Sequence, residues 1–317
     1  MNNFKWVQPK SVAEAAVAIK AGGAPMGGGI ELLCLLKDRL IEPTSVVNLK
    51  SISGMRAIEV GAVLKIGALA TVDSVADNSG VQKSFSAIAQ AAEFVASPQI
   101  RNVGTVGGNL CQRPRCWYFR DPEINCLKKG GQTCFAVAGN NEYHAILGGG
   151  PCHIVHPSDL APALMAFDSI VVTNERRIPI EQFFVSPKTD VMTETVLKKG
   201  EVVIGVETGT GWANVKSAYY KAKERPSFDW ALASCAVSLK ITAGKITDSR
   251  VVLGGVAPIP WRSKEAEAAL KGKTISDKIA MDAGVAAMKT AVPMSNNAYK
   301  IKLAANVVKI AVLQAAK

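Results

Sequence analysis

Hydrophobic and polar positions divide the chain into short elements separated by glycine turns. Ser11 precedes Val12-Ala13-Glu14-Ala15-Ala16, a capping residue before a run of helix formers, which predicts a helix reaching Lys20. Beyond Gly27-Gly28-Gly29, the apolar stretch over 30–36 predicts the start of a second helix. Residues 44–49 and 64–66 read as short strands, and 71–96 as helical, with 87–95 richest in helix formers. A second glycine-rich turn, Asn102-Val103-Gly104-Thr105-Val106-Gly107-Gly108-Asn109, opens an irregular segment rich in Pro, Gly and Arg. A helix follows over 157–166, then strands over 169–173 and 201–206. Thr208-Gly209-Thr210-Gly211 breaks the apolar pattern with small turn formers and marks a domain boundary. After it, 231–241 and 246–253 alternate like paired strands, and 265–270, 278–287 and 299–313 read as helices. There is no internal repeat and no low-complexity tract.

Length and composition narrow the class. At about 150 residues per domain, 317 residues predict two domains, 1–212 and 213–317. A content of 48% apolar and 20% charged residues excludes disordered and collagen-like chains, and a chain this long needs no disulfide staples. The apolar runs, such as 160–167, fall far short of the roughly 20 residues of a membrane span. Met1-Asn2-Asn3-Phe4-Lys5-Trp6 lacks the basic and apolar regions of a signal peptide, so a cytoplasmic location is expected. The formal charge is +11, yet the basic residues are scattered, with only short groups at Lys128-Lys129 and Lys198-Lys199. That pattern fits a solvated surface, an acidic partner or an anionic ligand, and not a nucleic-acid groove.

Two features carry candidate chemistry. Both glycine turns let backbone amides approach a phosphate, because no Cβ intervenes. Neither fits the dinucleotide fingerprint or the P-loop, and each alone reads equally as a tight turn. The second feature is cysteine clustering: five of seven cysteines lie between Cys111 and Cys152. In a reducing compartment that favours metal or redox chemistry over disulfides. Cys116, Cys126, Cys134 and Cys152 sit in an open spacing without paired knuckles; structural zinc and an iron–sulfur cluster both stay open on spacing alone. Cys34 and Cys235, in apolar surroundings, read as small core residues. His144, His153 and His156 read as structural, with a place near a cofactor open for the last two. Trp117, Tyr118 and Phe119 either shield a metal group or anchor the loop. Arg113, Arg115 and Arg120 either offset an anion or hydrate the surface. No nucleophile–base pair or carboxylate dyad suggests independent catalysis.

Three motifs occur in order: Pro25-Met26-Gly27-Gly28-Gly29-Ile30-Glu31-Leu32-Leu33; Ala96-Ser97-Pro98-Gln99-Ile100-Arg101-Asn102-Val103-Gly104-Thr105-Val106-Gly107-Gly108-Asn109-Leu110; and His156-Pro157-Ser158-Asp159-Leu160-Ala161-Pro162. Together they resemble the FAD-binding subunit of the molybdenum hydroxylases, the xanthine dehydrogenase family, over nearly the whole chain. The resemblance implies an α+β fold: a two-part FAD-binding domain of the vanillyl-alcohol-oxidase/p-cresol-methylhydroxylase type and a smaller C-terminal α+β domain. It implies that Pro25, Met26, Gly27, Gly28, Gly29, Ile30, Glu31 and Leu32 wrap the FAD pyrophosphate. Thr105, Gly108, Asn109, Asp159 and Lys221 would contact the cofactor, with Val203 near the flavin ring. The first motif departs from the common G-G-G-T-D-L form: Ile30 lacks the hydroxyl and Glu31 replaces Asp.

An insert of about 40 residues between Asn109 and Asp159 resembles that of 4-hydroxybenzoyl-CoA reductase and periplasmic aldehyde oxidoreductase, whose FAD subunits carry a [4Fe–4S] cluster. By position, Cys116, Cys126, Cys134 and Cys152 become the expected ligands, with Cys111 an unassigned fifth. The implied role is electron transfer beside a molybdenum-cofactor subunit and a [2Fe–2S] subunit, with exchange to an external carrier such as a ferredoxin. NAD use has no supporting motif. The alternatives are an FAD subunit without a cluster and a zinc-stabilised, non-redox binding module.

Overall fold

The computed structural model describes residues 1–317, which form three small sheets with helices between and behind them. The first sheet is parallel, with β1 (Lys5–Val7), β2 (Gly23–Met26) and β3 (Ser45–Asn48) in the order β1-β3-β2. Helix Val12–Lys20 makes the crossover from β1 to β2, its amino end closed by Ser11 Oγ, which accepts from the Glu14 amide. Helix Ile30–Lys37 follows β2 directly. The first glycine turn therefore lies at the carboxyl end of a parallel strand, where such sheets present ligands.

The second sheet holds β4 (Ile58–Glu59), β5 (Lys65–Gly67), β6 (Ile170–Thr173), β7 (Arg177–Pro179) and β8 (Val203–Glu207) in the antiparallel order β4-β5-β8-β6-β7. Between β5 and β6 the chain leaves for about a hundred residues, carrying the second glycine turn and the cysteine segment. The stretch expected as helical over 71–96 holds three short helices: Val72–Ala76, Ser79–Ser84 and Ser86–Glu93. Asn78 stops the first by capping the second through the Val81 amide. Phe85 leaves helical geometry, at φ −141°, and buries its ring 5.5 Å from that of Phe167.

The third sheet is antiparallel, with β9 (Lys216–Ala222), β10 (Ala233–Thr242), β11 (Lys245–Gly254) and β12 (Trp261–Arg262) in the order β12-β11-β10-β9. Ala243 and Gly244, both at positive φ, close the β10–β11 hairpin in two residues. Alternation along β10 sends Cys235, Val237 and Leu239 toward helices Lys264–Leu270, Asp277–Ala287 and Tyr299–Ala316, and Ala236 toward the opposite face. That opposite face is no surface. Tyr219, Ala236 and Val252 join the main core of the preceding residues, which also holds Phe85, Leu164 and Val206. Ile146 and Leu147, from the end of the cysteine segment, are built into the C-terminal core instead. The segment is thus anchored to both halves of the molecule.

Candidate functional site

A groove of about 810 Å³ runs along the first glycine turn to the junction with the third sheet. The two glycine motifs form a single wall. A Cβ on Gly28 would lie 2.1 Å from the Val103 carbonyl oxygen, and one on Gly27 would lie 2.6 Å from Thr105 Oγ1. Gly29, at φ +82°, starts helix Ile30–Lys37 with no side chain over its first amides. Thr105 caps the short helix Val106–Leu110, its Oγ1 accepting from the Gly108 amide at 3.2 Å. Gly107 packs on Ala68, where a Cβ would come within 3.0 Å. Such a cradle, bare of side chains and rich in amides, suits a pyrophosphate.

Cations flank it. Glu31 is a hub: its Oε1 accepts from the Arg113 amide at 3.1 Å and from Arg120 Nη2 at 2.7 Å, and its Oε2 from Arg115 Nη1. The Glu31 carboxylate therefore clamps the cysteine segment to the groove and does not stand free beside the glycines. Arg113 also pairs with Glu194 at 3.0 Å, and Arg115 lies over the Trp230 ring at 4.8 Å.

At the inner end, Asp159 is 4% exposed and fully engaged. Its Oδ1 accepts from Tyr219 Oη at 2.6 Å and its Oδ2 from Lys221 Nζ at 2.8 Å, which also donates to the Phe94 carbonyl at 3.1 Å. Burial and the Asp159 charge together raise the Tyr219 phenol well above its ordinary range, so it stays a donor. Nearby, Ser158 Oγ donates to Asn109 Oδ1 at 2.5 Å and accepts from the Ala161 amide at 2.9 Å.

A side chamber of about 330 Å³ shares Arg115, Pro157, Asp159, Arg225, Asp229 and Trp230 with the groove. Its far wall is Cys116, Trp117, Tyr143 and His144. Three buried polar atoms on its lining residues have no partner: His144 Nδ1, His156 Nε2 and Ser234 Oγ. Burial pushes His144 down to about 4 and His156 down to about 3, so both are neutral at neutral pH. His156 Nδ1 accepts from the Ser158 amide at 3.3 Å, which puts its proton on Nε2.

Behind that wall, Cys116, Cys126, Cys134 and Cys152 line one small cavity with Tyr118, Phe119, Lys128, Phe135, His144 and His153. Backbone amides of Phe119 and Tyr118 point at the Cys116 sulfur, those of His153 and Ala136 at Cys134, and that of Ile154 at Cys152. His144 Nε2 lies 3.2 Å from Cys116 Sγ. Burial lifts the Cys116 thiol to about 11, and the hydrogen bond from Cys152 draws Cys134 down to about 5. No three His, Cys, Asp or Glu side chains converge on a point where a single metal ion could sit. All four cysteines are among the residues that line that cavity.

The groove gathers thirteen of the fourteen residues expected to contact a cofactor. The exception is Val203, which is buried in the core on β8 and lines neither groove nor chamber. Val203 and Val206 are both buried although three residues apart, because β8 pairs with β6 through a register shift opposite Val172 and Thr173. Cys111 lies in the groove, apart from the other four, and burial lifts its thiol to about 12. Cys34 lines the groove at its exposed rim and is no core residue, because its helix turns that face to the ligand. Sequence reasoning missed the loop bearing Arg225, Phe228, Asp229 and Trp230, which has no periodicity to mark it. It also missed Tyr219, whose only signal is a strand position two residues from Lys221.

Comparison with known proteins gives two family matches: residues 2–208 match the FAD binding domain in molybdopterin dehydrogenase, and residues 218–315 the CO dehydrogenase flavoprotein C-terminal domain. The chain is 32% identical to the aldehyde oxidoreductase FAD-binding subunit PaoB of Escherichia coli K12, over 96% of this chain and 95% of that protein. It is 28% identical to the carbon monoxide dehydrogenase medium chain of Hydrogenophaga pseudoflava, over 96% and 94%. Among solved structures, carbon monoxide dehydrogenase from H. pseudoflava superposes with a TM-score of 0.77 at 26% identity, covering 99% of this chain and 97% of that one. No helix is long and apolar enough to cross a membrane.

Proposed function

Because this chain belongs to the molybdopterin dehydrogenase FAD-binding family and is the flavoprotein subunit of a molybdenum-dependent oxidoreductase, we propose that it passes electrons within a multi-subunit molybdenum hydroxylase. The observation that carries this reading is the groove, where both glycine motifs, the arginines and the Asp159–Lys221 pair face one space. When bound there, FAD would supply exchange between one-electron and two-electron carriers. The chain's own residues hold and shield it. Amides of Gly27, Gly28 and Gly29 would cradle the pyrophosphate; Thr105, which takes up the Gly108 amide, and Asn109 stiffen that cradle. Arg113 and Arg115 bring positive charge to the phosphates, which offsets the lack of a side-chain hydroxyl on Ile30. Asp159, held by Tyr219 and Lys221, is a fixed acceptor at the inner end. Trp230 and Phe228 flank the mouth.

Cys116, Cys126, Cys134 and Cys152 are the ligands of a [4Fe–4S] cluster in this reading. Its support is their common cavity, the amides aimed at three of the sulfurs and the aromatic shield of Tyr118, Phe119 and Phe135. The partners are a molybdenum-cofactor subunit and a [2Fe–2S] subunit, with a ferredoxin-like carrier outside. The reading keeps a cytoplasmic setting for the complex.

Anaerobic absorption with iron, sulfide, zinc and flavin analysis tests this. We expect flavin bands with about four iron per flavin. The Cys134→Ser variant should lose the iron and keep the flavin, and Cys111→Ala should keep both. Flavin without iron in the wild type removes the cluster alone; zinc without flavin removes both.

A further inference from the structure

Helix Tyr299–Ala316 of the C-terminal domain carries Lys300, whose side chain is fully buried. Its Nζ donates to three carbonyls: Tyr143 at 3.1 Å, His144 at 3.2 Å and Gly255 at 2.6 Å. No carboxylate pairs with it, and burial alone, with no anion beside it, pushes its ammonium down to about 7; an anion nearby is what would keep it charged. Every other cation of the cysteine segment's anchorage has an acid: Arg115 and Arg120 share Glu31, and Arg113 and Lys128 share Glu194. Five cations thus face two carboxylates, and Lys300 is the one without a partner.

A buried charge with no counter-charge is costly, so such a lysine marks a place where an anion belongs. The turn it grips leads directly to one. His144, whose carbonyl accepts from Lys300, sets its Nε2 at 3.2 Å from Cys116 Sγ. Asn297 holds the same turn, its Nδ2 donating to the His144 and Ala145 carbonyls at 3.2 and 3.4 Å. Asn141 closes the contact from the other side, bonded to Ser295 and to the Asn296 amide.

We propose that Lys300 is a positioning residue for an iron–sulfur cluster at the four cysteines: its ammonium is the fixed counter-charge of that anion, and its hydrogen bonds hold the 143–144 turn so that His144 faces Cys116. The proposal rests on the cluster reading above. It makes the C-terminal domain, which contributes no ligand, a determinant of the cluster's potential, since net charge and hydrogen bonds near the sulfurs set that potential.

The test is redox potentiometry of the assembled, iron-loaded complex, following cluster and flavin separately by electron paramagnetic resonance and absorption. Lys300→Met removes charge and hydrogen bonds, Lys300→Gln removes charge and keeps donors, and Asn297→Ser weakens the same turn without touching charge. We expect both Lys300 variants to lower the ratio of reduced to oxidised cluster about tenfold at a fixed potential, a shift of 59 mV for a one-electron couple. The flavin couple should stay in place in all three variants, and Asn297→Ser should move the cluster couple less than either Lys300 variant. Loss of iron with flavin retained in both Lys300 variants also supports the counter-charge. Full iron with an unmoved cluster couple in Lys300→Met overturns the proposal. So does an equal shift in Asn297→Ser, or loss of flavin and fold together in both Lys300 variants. A wild-type complex devoid of iron fails the cluster reading itself, before any variant is compared.

Discussion

Gly28 and Asp159 are the two positions where one atom decides most. A Cβ at position 28 meets a backbone carbonyl at 2.1 Å, and a carbonyl in a packed turn cannot swing aside as a side chain does. The Gly28→Ala variant should therefore hold flavin at least about tenfold more weakly, which is 1.4 kcal/mol, while far-ultraviolet dichroism stays near wild type. Flavin retained at full occupancy would place the turn outside the binding site. Asp159 faces a different constraint. With its charge removed, Lys221 is left buried beside a neutral amide, so Asp159→Asn should cost about 3–5 kcal/mol, the usual penalty of an unpaired buried charge. Urea unfolding reads this directly, and the double variant Asp159→Asn with Lys221→Met should recover part of the loss. Recovery to no degree would mean the pair is not coupled.

Among the elements, Thr105 shows how a cap can serve two tasks. Its hydroxyl closes helix Val106–Leu110 and fills the space beside Gly27. Thr105→Val keeps the shape and removes the acceptor, so it should cost about 1 kcal/mol of stability and loosen flavin as well; a thermal melt with and without added FAD separates the two effects. Such caps and turns were legible in the sequence. Ser11, both glycine turns, the β10–β11 hairpin and the C-terminal helices all follow from local chemistry, and the motifs placed roughly half of the residues that line the groove. What escaped depends on distance along the chain. β1 and β2 are short, β2 is broken by Gly and Pro, and both pair with β3 beyond intervening helices. The helical stretch over 71–96 is broken at Phe85, which finds Phe167 eighty-two residues later. Glu31 as an arginine hub, and Lys300 behind His144, are contacts that no local period announces.

Over the whole molecule, two of the buried groups that titrate far from their ordinary ranges, His156 and Glu201, act in one direction. Burial holds His156 at about 3, below the histidine reference of about 6.5, so the unfolded chain binds the proton first. The hydrogen bond from Arg176 holds Glu201 at about 2, below the carboxylate reference. Each contributes stability that is present at neutral pH and lost on acidification, His156 as pH falls from about 6.5 and Glu201 below about 4.5. Melting temperatures between pH 7 and 3 should fall in two overlapping stages. His156→Gln should flatten the upper stage and Glu201→Gln the lower; a profile unchanged in both variants would assign the acid sensitivity elsewhere.

The clamp at Glu31 carries a consequence for ancestry. A carboxylate bonded to Arg113, Arg115 and Arg120 has a use only where the cysteine-bearing excursion exists, because all three arginines lie on it. The longer acid and the excursion should then be inherited as one unit. Lineages that shed the excursion should revert to a shorter side chain at that position, and lineages that gained it should show glutamate arriving alongside.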